Sequence, residues 1–187
     1  MAILEFPDIE SADNNGLLGI GGDLEVPSLL LAYRSGIFPW PFEENEEIPW
    51  FSPPKRAVLY LKDFHVSKSL QKELKKNEYS FKINTNFKEV VNCCAQANNR
   101  KDGQGTWITE EIKNAYYNFH LAGYAHSIEC YENNELIGGL YGVSIGRMFA
   151  GESMFYKKQN ASKLSLCFLV EKLKEKAPTI GGFGGMF

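Results

Sequence analysis

No stretch of this 187-residue sequence is long and apolar enough to cross a bilayer, and the acidic start Met1–Glu10 lacks the apolar segment of a signal peptide. A cytoplasmic protein is therefore expected. Cysteine is scarce. Cys93 and Cys94 are adjacent, Cys130 and Cys167 stand alone, and no second pair or nearby histidine completes a zinc spacing. Thiols in a reducing compartment are the expectation, with no metal site. The net charge of −3 does not advertise a nucleic-acid binder. Internal repeats and low-complexity linkers are absent too. The glycine-dense segment Asn15–Leu24 neither follows a strand nor opens a long helix with dinucleotide-loop spacing, so it reads as a tight turn.

What is present is ample material for a core. Hydrophobic residues make up 44% of the chain and aromatics 13%, which argues against disorder. The charge is also uneven. Residues up to Glu47 are strongly acidic, whereas Lys55–Lys82 and Lys157–Lys176 are rich in lysine, so a local basic face is compatible with the small total.

Residues 1–60 hold most of the eight prolines and read as a small N-terminal domain cut into short pieces. One helix fits there, from Pro27 to Ser35 with Gly36 as its C-cap. Ile37–Trp40 and Ile48–Pro53 read as aromatic loops. From residue 61 to 187 the pattern is regular and predicts a second domain. A strand at Ala57–Leu61 leads into it, and Ser67 caps a helix running to Lys76. A short strand Phe81–Ile83 and a helix Phe87–Ala97 follow, then a helix capped by Thr109 and ended by Gly123. Three β-runs, Ala125–Tyr131, Leu136–Val143 and Arg147–Tyr156, then feed a final helix from Ser162. Antiparallel strands feeding a helix, after the earlier helices, give an α+β domain.

Several short motifs recur along this frame. They are Gly21–Leu24 (GGDL), Gly36–Trp40 (GIFPW), Trp50 with Ser52-Pro53, Thr106-Trp107-Ile108, His126–Glu129, Gly138–Val143, Phe149–Phe155 and Asn160–Lys163. Each is weak alone. In this order the eight together resemble the signature of leucyl/phenylalanyl-tRNA–protein transferases. The resemblance implies a GNAT-like (acyl-CoA N-acyltransferase-like) domain, a mixed sheet with flanking helices, with a small N-terminal domain added. It also implies transfer of Leu or Phe from aminoacyl-tRNA to the α-amino group of proteins beginning with Arg or Lys, which tags them for degradation. No cofactor is implied, because the tRNA ester is already activated. A monomer is expected.

By the same resemblance, Trp40 and Trp107 would stack on the terminal adenosine of the tRNA, at about 1–3 kcal/mol per base. The side-chain pocket would be lined by Leu140, Phe149, Met154, Leu166 and Leu169, a methionine-bearing wall that adapts to branched and aromatic shapes. Glu152, with Gly151 and Ser153 beside it, is the candidate catalytic residue. An unpaired carboxylate is expensive to bury among apolar neighbours, so Glu152 either orients the attacking amine or helps position the ester, or else is a structural ion pair or a sheet-edge surface residue. His126 is weighed as a general base against an ordinary hydrogen-bonded histidine. Ser127 and Cys130 lack the base and orienter that a nucleophile needs. Lys68, Lys72, Lys75 and Lys76 fall on one side of their helix, opposite Leu70 and Leu74, either as a solvated face or as a phosphate-tracking patch.

One part of the resemblance is missing. The family's final helix leads into a strand bearing Asp-x-Gln at the reaction centre, and residues 160–187 contain neither Asp nor Gln. The chain thus reads as truncated at its C-terminus, and little or no turnover is expected of it. The alternatives are a catalytically impaired paralogue that only binds aminoacyl-tRNA, and an acyl-CoA N-acyltransferase. The second is disfavoured because Lys157–Ser162 lacks the glycines of a pyrophosphate loop.

Overall fold

The prolines and glycines that chop up the start of the chain still leave room for three short strands. In the computed structural model, which describes residues 2–41, 43–44, 46–76, 78–97 and 106–180, these are β1 (Leu17–Ile20), β2 (Phe38–Pro39) and β3 (Pro49–Phe51). They form an antiparallel sheet in the order β1-β3-β2, with Leu17 opposite Phe51 and Pro39 opposite Trp50. Pro39 and Pro49 sit at strand ends, where a missing N–H costs little. Gly16 shows why the turn before β1 needs glycine. Its φ is +88° and an added Cβ would lie 2.6 Å from the Pro53 backbone.

Two helices complete this first unit, α1 (Val26–Arg34) and α4 (Glu110–Leu121). The Thr109 hydroxyl caps α4 by accepting the Ile112 N–H at 3.2 Å, and Glu110 and Glu111 occupy its first turn. The helices meet through aromatics. Tyr33 of α1 packs against Phe119 and against Tyr116, whose hydroxyl is 2.5 Å from that of Tyr33.

The second unit is built on a four-stranded antiparallel sheet, β4 (Tyr79–Ile83), β5 (Ala125–Glu132), β6 (Glu135–Ile145) and β7 (Met148–Tyr156), in chain order. Register assigns the faces. Ile128 pairs with Leu140 and Leu140 with Met154, so these three share one face. Glu129, Gly139 and Phe155 share the other. Helix α5 (Ala161–Ile180) lies on the Leu140 face, approaching so closely that a Cβ at Gly138 would meet the Ala161 Cβ at 2.5 Å. Helix α3 (Phe87–Ala95) covers the opposite face, with Phe87 edge-on to Tyr141 at 6.0 Å. Helix α2 (Lys68–Leu74) contributes Leu70 and Leu74 to a cluster around Cys130, Ile137, Ala161 and Leu164.

Glycine in β6 makes room for rings. A Cβ at Gly142 would collide with both the Ala150 carbonyl oxygen and the Phe149 ring. Gly142→Ala is therefore expected to cost about 1–3 kcal/mol, the usual penalty of overpacking, and thermal unfolding followed by circular dichroism checks it. An unchanged Tm would mean that both the Ala150 carbonyl and the Phe149 ring give way freely and are not held as described.

Two expectations need correction. The glycine-dense segment contains β1, and the supposed loops Ile37–Trp40 and Ile48–Pro53 contain β2 and β3. These strands are too short to display alternation, and only their mutual pairing reveals them. Conversely, Ala57–Leu61 is no strand. Val58 and Tyr60 are exposed, Leu59 makes a single bridge, and a 3₁₀ turn begins at Leu61. A β-prone run without a partner ladder stays irregular. The compact units are Met1–Ala57 with Asn98–Gly123, and Val58–Ala97 with Tyr124–Phe187. Helix α4 thus belongs with the N-terminal residues because its aromatic face packs on α1.

Candidate functional site

In the first unit, the backbone delivers two tryptophans to one point. Trp40 follows directly on β2, and its N–H donates to the Pro49 carbonyl at 2.9 Å. Trp107 sits in the turn before the α4 cap, its carbonyl accepting the Thr109 N–H at 3.1 Å. The two indoles stack, with centroids 4.9 Å apart and planes 17° from parallel. Their environments differ. Trp40 is 40% exposed, while Trp107 is 8% exposed and meets the edge of Tyr116 at 6.4 Å. A row of rings runs on from Trp40 through Phe38, at 6.3 Å, to Phe51. Arg56 lies over the Phe38 ring at 5.3 Å and donates to the Gly36 carbonyl. Burial pushes its guanidinium pKa down from the ordinary value.

In the second unit, Glu152 owes its position to an irregularity. Tyr141 pairs with Ser153 and Gly142 with Gly151, so Glu152 is the extra residue of a β-bulge in β7. Bulges interrupt the ladder and re-aim side chains, which is why they recur beside active sites. Glu152 is half-buried. Four of the five residues expected to line a side-chain pocket come together in one apolar cluster. Leu140, Phe149 and Leu169 pack with Leu61, Ile128, Val170 and Leu173, and Leu166 lies against them. The fifth, Met154, is 47% exposed and stands outside the buried cluster, although register puts it beside Leu140.

His126 occupies a hydrogen-bonded structural position. Asn84 accepts the Ser127 N–H through Oδ1 at 3.0 Å, so its Nδ2 must be the donor to His126 Nδ1 at 2.9 Å. A neutral ring then carries its proton on Nε2. Neither Ser127 nor Cys130 is built as a nucleophile. The buried Ser127 hydroxyl donates to Glu129 at 2.6 Å. Burial first, and then the charge of Glu132, push the Cys130 thiol up to about 12, so it stays protonated at neutral pH.

Glu129 is the residue that sequence reasoning missed. It is fully buried, and its carboxylate accepts from the Thr85 hydroxyl at 2.7 Å, the Ser127 hydroxyl, the Asn86 N–H at 3.2 Å and the Thr85 N–H at 3.4 Å. Asn86 is the N-cap of α3, so the carboxylate also faces the positive end of that helix. The signal was a carboxylate in the middle of a run of strand residues, two places after a serine. Arg56 was missed as well, and nothing in its local pattern marks it.

The two units are oppositely charged. The first contains 13 Asp and Glu against 6 Lys and Arg, and the second 14 Lys and Arg against 10 Asp and Glu. The small total charge hides this division. On α2 and the turn after it, Lys68, Lys72, Lys75 and Lys76 are all exposed. Lys76 is committed to Glu73 at 2.9 Å, and that hydrogen bond raises its pKa. Among the described residues no cluster of potential metal ligands occurs, and no helix is long and apolar enough to cross a membrane.

The model of the leucyl/phenylalanyl-tRNA protein transferase family matches residues 58–180, and that of the family's N-terminal domain matches residues 22–54. This chain belongs to the leucyl/phenylalanyl-tRNA–protein transferase family. The member from Idiomarina loihiensis is 48% identical over 176 residues, which is 93% of this chain and 73% of that protein. The member from Desulfatibacillum aliphaticivorans is 50% identical over 169 residues, 90% of this chain and 71% of that one. Among solved structures, L-PGS from Bacillus licheniformis aligns with a TM-score of 0.49 at 13% identity, covering 87% of this chain and 52% of that one. The transferase family match spans both units, including the tryptophan stack's Trp40 and the bulge at Glu152.

Proposed function

We propose that this transferase uses the Trp40–Trp107 pair to hold the terminal adenosine of Leu- or Phe-tRNA, and the cluster around Leu140, Phe149, Leu166 and Leu169, with Met154 at its margin, to receive the apolar side chain. The acceptor is a protein whose N-terminal residue is Arg or Lys. Its α-amine attacks the ester carbonyl, forming the C–N bond of a new peptide and breaking the C–O bond to ribose. The proton lost by the amine ends on the departing ribose oxygen. Glu152, aimed by the bulge between Gly151 and Ser153, accepts a hydrogen bond from the amine and orients its lone pair. The ester carries its own activation, so these residues supply binding and orientation. We read the second unit as a GNAT-like sheet in which α3 and α5 flank β4–β7. The protein acts in the cytoplasm as a monomer.

The single observation behind this reading is the Trp40–Trp107 stack, in which two aromatic residues from separate motifs meet in one place. A phenylalanyl-3′-amino-adenosine amide, which resists hydrolysis, serves as the probe. It should bind and compete with Phe-tRNA, and Trp40→Ala should weaken it by roughly 5- to 150-fold, the range set by stacking of one base. Calorimetry measures both. No binding of the amide, together with no labelled Arg-initiated acceptor in a single-turnover assay with protein in excess, would reject the function.

The tRNA body is assigned to the basic unit. Exchanging Lys68, Lys72 and Lys75 together for alanine should reduce the slope of log affinity against log salt by about two to three, close to one for each phosphate that is no longer neutralised. Binding of the adenosine amide should stay unchanged. An unaltered slope for Phe-tRNA would return α2 to an ordinary solvated helix.

A further inference from the structure

We infer that Tyr79 is a positioning residue for tRNA: its hydroxyl ties Glu73, and with it the lysines of α2, to the sheet that carries the side-chain cluster. This rests on the assignment of the tRNA body to α2 above and adds what holds that helix in place.

A seven-residue helix is marginal on its own, so its pose comes from what grips it. Its start is held by the Ser67 hydroxyl, which accepts the Leu70 N–H at 3.3 Å, and by Gln71, whose side-chain amide donates to the Val66 carbonyl at 2.9 Å. One side is held by Leu70 and Leu74, packed against the Cys130 cluster. Glu73 falls on the border between that side and the lysines, with 20% of its side chain exposed. The Tyr79 hydroxyl of β4 donates to its carboxylate at 2.5 Å. That hydrogen bond, ahead of the one from Lys76, holds the Glu73 pKa below its ordinary value and marks the carboxylate as a charged acceptor.

Tyr79 is itself gripped from behind. It pairs with Glu132 of β5, and Lys158 lies over its ring at 5.3 Å while donating to Glu132 at 2.5 Å. Lys158 belongs to the turn that opens α5, where its carbonyl accepts the Ala161 N–H at 3.1 Å. A continuous chain of contacts therefore runs from Lys76 and Glu73 through Tyr79 to Lys158 and Glu132. It fastens α2 to the start of the helix whose Leu166 and Leu169 meet the side-chain cluster. So held, Lys68, Lys72 and Lys75 are set in advance, and binding does not have to order the helix that carries them.

Tyr79→Phe removes the hydroxyl and leaves the ring under Lys158. At low salt it should weaken Phe-tRNA binding by about 3- to 10-fold, the scale of coupling within one hydrogen-bond network, while the adenosine amide binds within about twofold of the parent. Calorimetry measures both. In the background with Lys68, Lys72 and Lys75 exchanged for alanine, Tyr79→Phe should have no further effect on Phe-tRNA, because the hydroxyl acts through those lysines. An equal loss in both backgrounds, no loss in the parent, or a parallel loss of amide binding would overturn the positioning role and leave α2 as a tRNA contact. A triple exchange that itself left Phe-tRNA affinity unaltered would overturn this inference and the assignment of α2 together.

Discussion

Replacing Glu152 with glutamine should slow the low single-turnover transfer of phenylalanine to an Arg-initiated acceptor expected of this chain by roughly two to three orders of magnitude, the scale of a positioned acid–base group. Affinity for the adenosine amide should change by no more than about twofold, because the amide lacks the acceptor amine. The bulge is the cause. A regular β7 would alternate its side chains without interruption, and the extra residue at 152 breaks that alternation between Gly151 and Ser153. Glutamine keeps the volume and one acceptor oxygen but removes the charge that favours the amine as it loses its proton. Glu152→Asp should recover part of the rate, since it keeps the charge and shortens the reach. The half-buried position makes a large folding defect unexpected, and the melting temperature should move little. Transfer by Glu152→Gln at the parental rate would remove Glu152 from the reaction centre.

Much of this arrangement was legible in the sequence because strong local rules agreed with tertiary packing. Ser67 and Thr109 cap their helices as their position before an apolar period suggests. The runs that became β5, β6 and β7 are long, rich in β-formers and separated by turn residues, including Asn133 and Asn134 at positive φ. What escaped depends on partners distant in the chain. The strands β1, β2 and β3 hold four, two and three residues, and their hydrogen bonds, not their composition, define them. The bulge at Glu152 is a property of the pairing of two strands and leaves no mark on either alone. Trp40 and Trp107 were singled out by resemblance, yet their mutual stacking required that α4 return to the N-terminal unit. Glu129 escaped for the opposite reason. A buried acid in a strand looks like an error until its donors from the β4–α3 turn are seen.

Glu129→Ala should destabilise the second unit by roughly 2–4 kcal/mol, since an orphaned buried donor costs about 1–3 kcal/mol and the remaining hydrogen bonds to a charged acceptor are lost with it. Two hydroxyls and two backbone N–H groups converge on this carboxylate, and alanine leaves the buried Ser127 hydroxyl without an acceptor while Thr85 and Asn86, which are exposed, lose a charged partner. For a chain of this length such a loss lowers the Tm by roughly 5–15 °C. Glutamine should fall between, because its amide keeps one acceptor oxygen while its NH₂ faces donors. The effect should also reach the chemistry. The carboxylate fixes Asn86 at the start of α3, the next residue Phe87 packs edge-on against Tyr141, and Tyr141 pairs with Ser153 beside the bulge. At a temperature where Glu129→Gln remains folded, single-turnover transfer should therefore drop while the adenosine amide binds as before. Stability and rate both matching the parent would show that the four donors find other partners and that the turn before α3 does not hold Glu152 in place.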